Sequence, residues 1–342
     1  MPQFELENET PCSVEPLFVT DESGAMLLVS IVKATYVIDK DGTLRLADKQ
    51  HAVNVTGEHW GDAGHSSLKY ESETSFFKSA TDVVLIGRAL SNDKRTTEMM
   101  AGIQLGKVRK LIRVVGNRTL TRRRGQTRVS APQPIEEVPL IYERAFGGWD
   151  PTPGAQGGAV FEARNPVGKA FRMAQTGGDE VVPLPNLEDV DRPYRGYGDV
   201  PTPAGVGFVS PHWQPRARFA GTYDEVWSRG RKPLLPLDFD RRFFNAASPG
   251  LVCDGYLSGT EDCAVLNACS EPRVNFRLPA SGPVSCEMQS RGNAPQLRDA
   301  PLDTVIVNMD ERLVFMLWRA HFSIPGDPQD LVSLTVRQGE PR

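Results

Sequence analysis

The chain has no apolar run approaching the ~20 residues that a membrane-spanning helix needs. Its hydrophobic fraction of 39% beside 24% charged residues reads as a soluble globular protein. A secretory leader is missing too. The N-terminus, MPQFELENETPCSV, carries acidic residues where such a signal would have basic ones, so the cytoplasm is the expected compartment and no membrane contact is expected. Cysteine is scarce, and Cys12, Cys253, Cys263, Cys269 and Cys286 are odd in number without a C-x-x-C pair. That excludes a disulfide framework and a zinc knot and leaves reduced thiols. Histidine is equally scarce, at five. His59 and His65 bracket Asp62 in GEHWGDAGHSS, but the glycines at 57, 61 and 64 read as a surface turn, and no metal is expected there. His212 and His321 read as packed or solvent-facing side chains. No G-x-S-x-G elbow occurs, and GIQLGK lies in an alternating strand without the hydroxyl that a nucleotide loop would place next. No cofactor is expected. A net charge of −4 supplies no general field for nucleic acid. The local exception is TRRRGQTR, where Arg122, Arg123 and Arg124 form either a solvated loop or a patch for phosphates or an acidic protein face.

What the chain does have is strand-like alternation at both ends. AMLLVSIVKATYVI, DKDG and TLRLA read as a strand, a turn and a second strand, and residues 81–90 and 100–116 repeat the pattern. Long helical periodicity is missing from this region. The last third returns to strands in LVCDGYLSG, CAVLNA, RVNFRLPA, DTVIVNMDERLVFMLWRAHFSI and LVSLTVRQ, with NMDER as a hairpin connection. VFMLWRAHFSI overlays LVSIVKATYVI with Arg319 on Lys33, which either duplication or generic alternation would produce.

Between these ends, residues 131–249 hold 16 of the 27 prolines, in stretches such as PTPGAQGG, VPLPNLED and RKPLLPLDFD. Regular elements cannot be long there. Closely spaced aromatic rings argue against disorder, so this segment reads as a long ordered excursion, with a short helix at GTYDEVWSRG capped by Thr222. The expected fold is mainly β: two packed β-sandwich or barrel-like lobes, 1–130 and 250–342, with the Pro/Gly-rich ordered insertion 131–249 between them and few short helices, all in one compact unit.

YERAFGGWD, residues 142–150, poses the functional question. Glu143 could act as an acid or base beside an aromatic platform. The alternative is a lock, in which Glu143 and Arg144 pair, Tyr142 and Phe146 enter a core, and Gly147 and Gly148 supply a bend. Further acids sit near each other as Glu143 with Asp150, as Glu188, Asp189 and Asp191, and as Asp238 with Asp240. They make a carbohydrate-active hydrolase the alternative function. For the last pair, Arg241 and Arg242 follow at once and suggest ion pairing within the loop.

YERAFGGWD is followed by ARNPVGKAF, VPLPNLED, TPAGVGFVSPHWQPR, AGTYDEVW and PLDFDRRFFNAASP, and preceded by SSLKYESETSFFKSATDVVLIG. In this order, over nearly the whole chain, they resemble a bacterial family labelled as a domain of unknown function and encoded beside spike and effector genes of type VI secretion clusters. NAASPG, LSGTED and the histidines of GEHWGDAGHSS depart from its pattern. The resemblance implies an effector adaptor, or chaperone, whose partners are the N-terminal region of a secreted toxin and a PAAR or VgrG spike protein. It brings no catalytic, cofactor-binding or metal-binding residues. Tyr142, Glu143, Arg144, Phe146, Gly147, Gly148, Asn165 and Pro166 are then expected to lock the excursion to the scaffold. Trp149, Trp213, Trp227, Arg122, Arg123 and Arg124 are the candidates for meeting a partner.

Overall fold

The strand Met26–Ile38 is so densely apolar that its side chains are buried on both faces of the sheet, as happens to a central strand covered above and below. It lies between Ser13–Thr20 and Leu313–Ser323 in a six-stranded sheet. That sheet continues through Leu302–Asn308 to Asp82–Ile86, with Leu44–Leu46 also paired to the long strand. The computed structural model describes residues 4–150, 160–172, 179–324 and 326–339, so PTPGAQGG falls outside the described residues. Among those residues the architecture is mainly β, with several sheets, no closed barrel and only short helical turns. No helix among them is long and apolar enough to cross a membrane.

A five-stranded sheet runs Leu187–Glu188, Val108–Val115, Glu98–Leu105, Asp262–Leu266, Arg273–Arg277, and a four-stranded one runs Glu5–Asn8, Leu331–Gln338, Val284–Ser290, Gln296–Ala300. Each of these larger sheets therefore takes strands from both 1–130 and 250–342. The composition shifts at 130 and 250 mark a change of texture, while the two ends of the chain interleave in shared sheets and one hydrophobic core. NMDER does connect a hairpin, Leu302–Asn308 to Leu313–Ser323. The two echoing segments are antiparallel neighbours, with Lys33 opposite Leu317 and Arg319 opposite Ile31. Both occupy the same doubly covered middle of the sheet, which imposes the same apolar pattern on each.

The echo puts two cations inside the protein. Lys33 and Arg319 are about 5% exposed, and a charge so placed needs a partner. Both reach the irregular strap 71–78, which crosses their face of the sheet, and Arg319 takes its carboxylate from the neighbouring strand Leu302–Asn308. Lys33 Nζ donates to both Glu73 carboxylate oxygens at 2.7 and 2.9 Å and sits over the Phe315 ring. Arg319 donates to Asp303 Oδ2 at 2.8 Å and to the Glu73 carbonyl at 3.1 Å. Further along, Lys78 Nζ reaches Asp82 Oδ2 at 2.7 Å and Thr304 Oγ1 at 2.9 Å. Glu71 takes Arg216 Nη2 of the excursion at 2.7 Å. The polar residues of SSLKYESETSFFKSA are thus fasteners between a strap, the central sheet and the middle of the chain.

Removing the Glu73 charge while Lys33 stays buried leaves an uncompensated ammonium. Glu73→Gln is expected to cost ~3–5 kcal/mol in urea unfolding. Breaking the more exposed Lys69–Glu58 pair should cost less than about 1 kcal/mol.

Candidate functional site

Tyr142–Arg144 forms a single 3-10 turn entered from extended backbone. Tyr142 is buried, its hydroxyl donates to Ser248 Oγ at 3.1 Å, and its ring meets Trp213 edge-on at 5.4 Å. Burial pushes its phenol up to about 12. Ser248 in turn donates to the Gly205 carbonyl at 2.7 Å and accepts from Lys110 Nζ at 2.6 Å. Lys110 also donates to the Pro249 carbonyl at 2.7 Å, and burial brings its ammonium down to about 8.

Glu143 does not pair with Arg144, contrary to the expectation from their adjacency. Both its oxygens accept from Ser67, one from the backbone N–H and one from the hydroxyl, each at 2.7 Å. The turn aims neighbouring side chains in different directions, and Ser67, distant in sequence and just ahead of the strand Leu68–Tyr70, reaches the carboxylate first. Phe146 stacks on Tyr194 at 5.8 Å and meets Phe171 edge-on at 6.2 Å in a small second core.

Asn165 ties the two neighbouring motifs together. It is fully buried, and its Nδ2 donates to the Tyr142 carbonyl at 2.8 Å and the Phe146 carbonyl at 2.9 Å. Gly147 has a φ of 149°, and a Cβ there would lie 2.1 Å from the Asn165 carbonyl oxygen. Only glycine allows that approach. Phe146–Gly147 then pairs in parallel with Lys169–Ala170, next to the half-buried Pro166. YERAFGG and ARNPVGKAF are two halves of one lock.

Three of the acids read as possible catalysts, Glu188, Asp238 and Asp240, are engaged elsewhere. Glu188 is held by Arg113 and Arg118 at 2.8 and 2.5 Å. Asp238 accepts from the Thr222 N–H and hydroxyl, and Asp240 accepts from the Arg242 backbone and Nε at 2.9 Å each. The ion pairing read into DFDRR is therefore half local: Asp240 takes Arg242, while Arg241 Nε reaches Glu22 at 2.8 Å.

The candidate partner-facing residues separate. Trp213 is 6% exposed and belongs to the core beside Tyr142, not to a surface. Arg122 is 4% exposed and lies over the Tyr197 ring, so it is a packing residue. Arg123 and Arg124 are exposed at the tip of the hairpin Thr119–Arg123, Gln126–Val129. Trp149 is 53% exposed and leans on Phe161 at 4.7 Å.

Trp227 lies on the one α-helical turn of the described residues, Glu225–Gly230, whose cap is Asp224 and not Thr222. Asp224 accepts from Trp227 N at 2.9 Å, while Thr222 is occupied by Asp238. The Trp227 indole donates to the Leu234 carbonyl at 2.8 Å and its ring meets Tyr223. Around it, Tyr223, Val226 and Leu237 are 53%, 77% and 87% exposed. They flank an apolar hollow of about 530 Å³ whose lining includes Val226, Trp227, Pro236 and Leu237. The finger is fastened at its base by Arg231 to the Glu22 carbonyl and by Arg241 to the Glu22 carboxylate. Val226 and Leu237 escape a reading of the sequence because exposure of an aliphatic residue has no local signature. The only hint is their place in short Pro- and Asp-flanked turns.

The finger is thus an exposed apolar segment fastened at its base to the β scaffold. The chain belongs to a family described as an uncharacterized protein conserved in bacteria (DUF2169), which matches residues 23–319. No curated protein and no solved structure matches it.

Asn165→Ala is expected to leave the Phe146 carbonyl without its donor and the Tyr142 carbonyl with the Ala145 N–H alone, at a cost of ~1–3 kcal/mol of unfolding free energy in urea denaturation. Lys110 gives a pH test. Its folded proton is released near pH 8, while an unfolded lysine keeps its proton to about 10.4. Between those values the unfolded chain binds more protons at this site, so stability rises with pH. Relative to Lys110→Met, the parent chain should therefore gain stability between pH 8 and 10. Parallel stability curves for the two would contradict the assignment.

Proposed function

We propose that this protein is a type VI secretion adaptor, a chaperone that binds the N-terminal region of a secreted effector in the cytoplasm and helps load it onto the PAAR or VgrG spike. It does so without making or breaking covalent bonds. The observation that carries the reading is the finger 222–238, where aliphatic and aromatic side chains stand in solvent on a base held by hydrogen-bonded and charged contacts. Exposed apolar groups on a stiff support lose little entropy on binding and suit a protein partner. The motif set from SSLKYESETSFFKSA to PLDFDRRFFNAASP supports the same reading through its likeness to that adaptor family. The hydrolase alternative gains nothing from Glu143, Asp238, Asp240 and Glu188, whose oxygens accept from Ser67, Thr222, Arg242 and the Arg113–Arg118 pair.

Co-expression with the product of the neighbouring toxin gene should yield a stable complex, and deletion of this chain should abolish secretion of that toxin alone. Normal secretion without the chain overturns the reading. Val226→Glu with Leu237→Glu should lower toxin capture at least tenfold. Because both side chains are exposed, stability should stay within about 1 kcal/mol of the parent.

A further inference from the structure

A second hollow lies where the finger meets the scaffold. The Phe219 carbonyl accepts from Asp240 N at 3.0 Å and closes the base of the finger 222–238. Phe219 also lines, with Val209, Pro215, Ala247 and Val252, a hollow of about 370 Å³. The polar side chains around it are committed. Arg216 gives Nε, Nη1 and Nη2 to the Phe243 carbonyl, the Val209 carbonyl and Glu71 at 2.8, 2.9 and 2.7 Å. Asn245 Nδ2 donates to the Ala80 carbonyl and its Oδ1 accepts from Ser79 Oγ, each at 2.8 Å. Cys253 also lines the hollow, and burial pushes its thiol up to about 12, so it stays protonated. Water in such a space finds few hydrogen-bond partners, and an apolar group that displaces it gains affinity.

The rim of this hollow is cationic. Arg218 and Arg242 hold their guanidinium carbons 4.6 and 4.4 Å from the centre of the same Phe219 ring. A guanidinium stacked on an aromatic ring keeps its edge N–H groups free to meet an anion. Among the described residues Arg216 takes Glu71 and Arg242 takes Asp240, while no carboxylate pairs with the exposed Arg218. Because the ring already holds both side chains, little freedom is lost when a partner's carboxylate arrives.

We propose that the hollow and the two guanidiniums on the Phe219 ring receive a segment of the protein partner in which an apolar side chain stands next to an acidic one. The apolar side chain enters the hollow, and the carboxylate takes the two-pronged donor of Arg218. Phosphate on a nucleic acid would also suit the guanidiniums, but its sugar backbone leaves the apolar hollow unfilled, and the net charge of −4 gives a polyanion no long-range attraction. With the finger hollow on the other side of Phe219, the partner is read in two places along one extended segment. The inference rests on the adaptor reading for the nature of the partner and on the Arg218–Phe219–Arg242 stack for the site.

The test uses the full chain with labelled valine methyls and arginine Nε, followed by NMR. The probe is acetyl-Ala-Glu-Leu-Glu-Ala-amide, beside a second peptide with Gln for both Glu and, separately, inorganic phosphate. The first peptide should move the Val209 and Val252 methyls together with Arg218 Nε. It should bind about fivefold more tightly than the second, the upper end for a solvent-facing ion pair. Arg218→Gln should remove most of that preference without altering the near-UV circular dichroism. Unmoved methyls at every peptide concentration overturn the hollow, and equal binding of the two peptides overturns the acidic requirement. A response of Arg218 to phosphate and none to peptide overturns the protein partner. Methyl shifts that depend on the concentration of the chain alone would give the hollow to a second copy and overturn it likewise. In toxin capture, the Arg218→Gln, Val252→Ser double variant should bind at least tenfold more weakly than the parent. If it binds as well as the parent, the second hollow fails while the adaptor reading stands. If the parent captures no toxin, the adaptor reading fails, and the peptide titration decides the hollow by itself.

Discussion

Buried cations fastened to an irregular strap hold the architecture together. Lys33, Lys78 and Arg319 each rise from or beside the central sheet into a space where an unpaired charge is untenable. Each is met by Glu73, Asp82 or Asp303 within 2.8 Å. The strap has almost no regular hydrogen bonding of its own, so its path is dictated by these side-chain contacts. Ser67 and Glu71 then carry the constraint outward, to Glu143 and Arg216 of the middle segment. The positions of both the lock and the finger follow from where the strap is nailed down.

The middle segment shows how a proline-rich stretch stays ordered without long elements. Single buried side chains serve as hubs for several backbone groups. Asn165 gathers two carbonyls, Arg216 gathers those of Val209 and Phe243 together with Glu71, and Ser248 joins Lys110, Tyr142 and Gly205. Such hubs satisfy polar groups that a sheet ladder would otherwise satisfy. They also leave the apolar side chains free to point either inward, as Phe146 and Trp213 do, or outward, as Trp149 and Leu237 do.

Legibility in the sequence divides along the same line. The strands were readable because burial on both faces leaves a dense apolar run, as in Met26–Ile38 and Leu313–Ser323, and the NMDER turn was readable from its polar break. The bend was readable, since a double glycine between aromatics means a turn of backbone in a core, and Gly147 and Phe146 make one. Its wiring was not. Glu143 meets Ser67, 76 positions away, and Thr222 meets Asp238 instead of capping the helix it precedes. Those partners are set by tertiary geometry, and adjacency pointed to the wrong ones. Trp213 was misplaced and Leu237 missed for a related reason: composition shows that a ring or an aliphatic group is present, and only the loop path decides which side it faces.

The interleaving of the two chain ends has a consequence for synthesis. Met26–Ile38 leaves the ribosome long before its neighbour Leu313–Ser323, with on the order of 280 residues between them, a wait of about 15–55 s at ~5–20 residues per second. For that interval a strand built to be covered on both sides is exposed to solvent. No early fragment can close the central sheet, so folding is committed only near the end of translation. The chain thus reaches its own fold last at the very strand that the fold is built around.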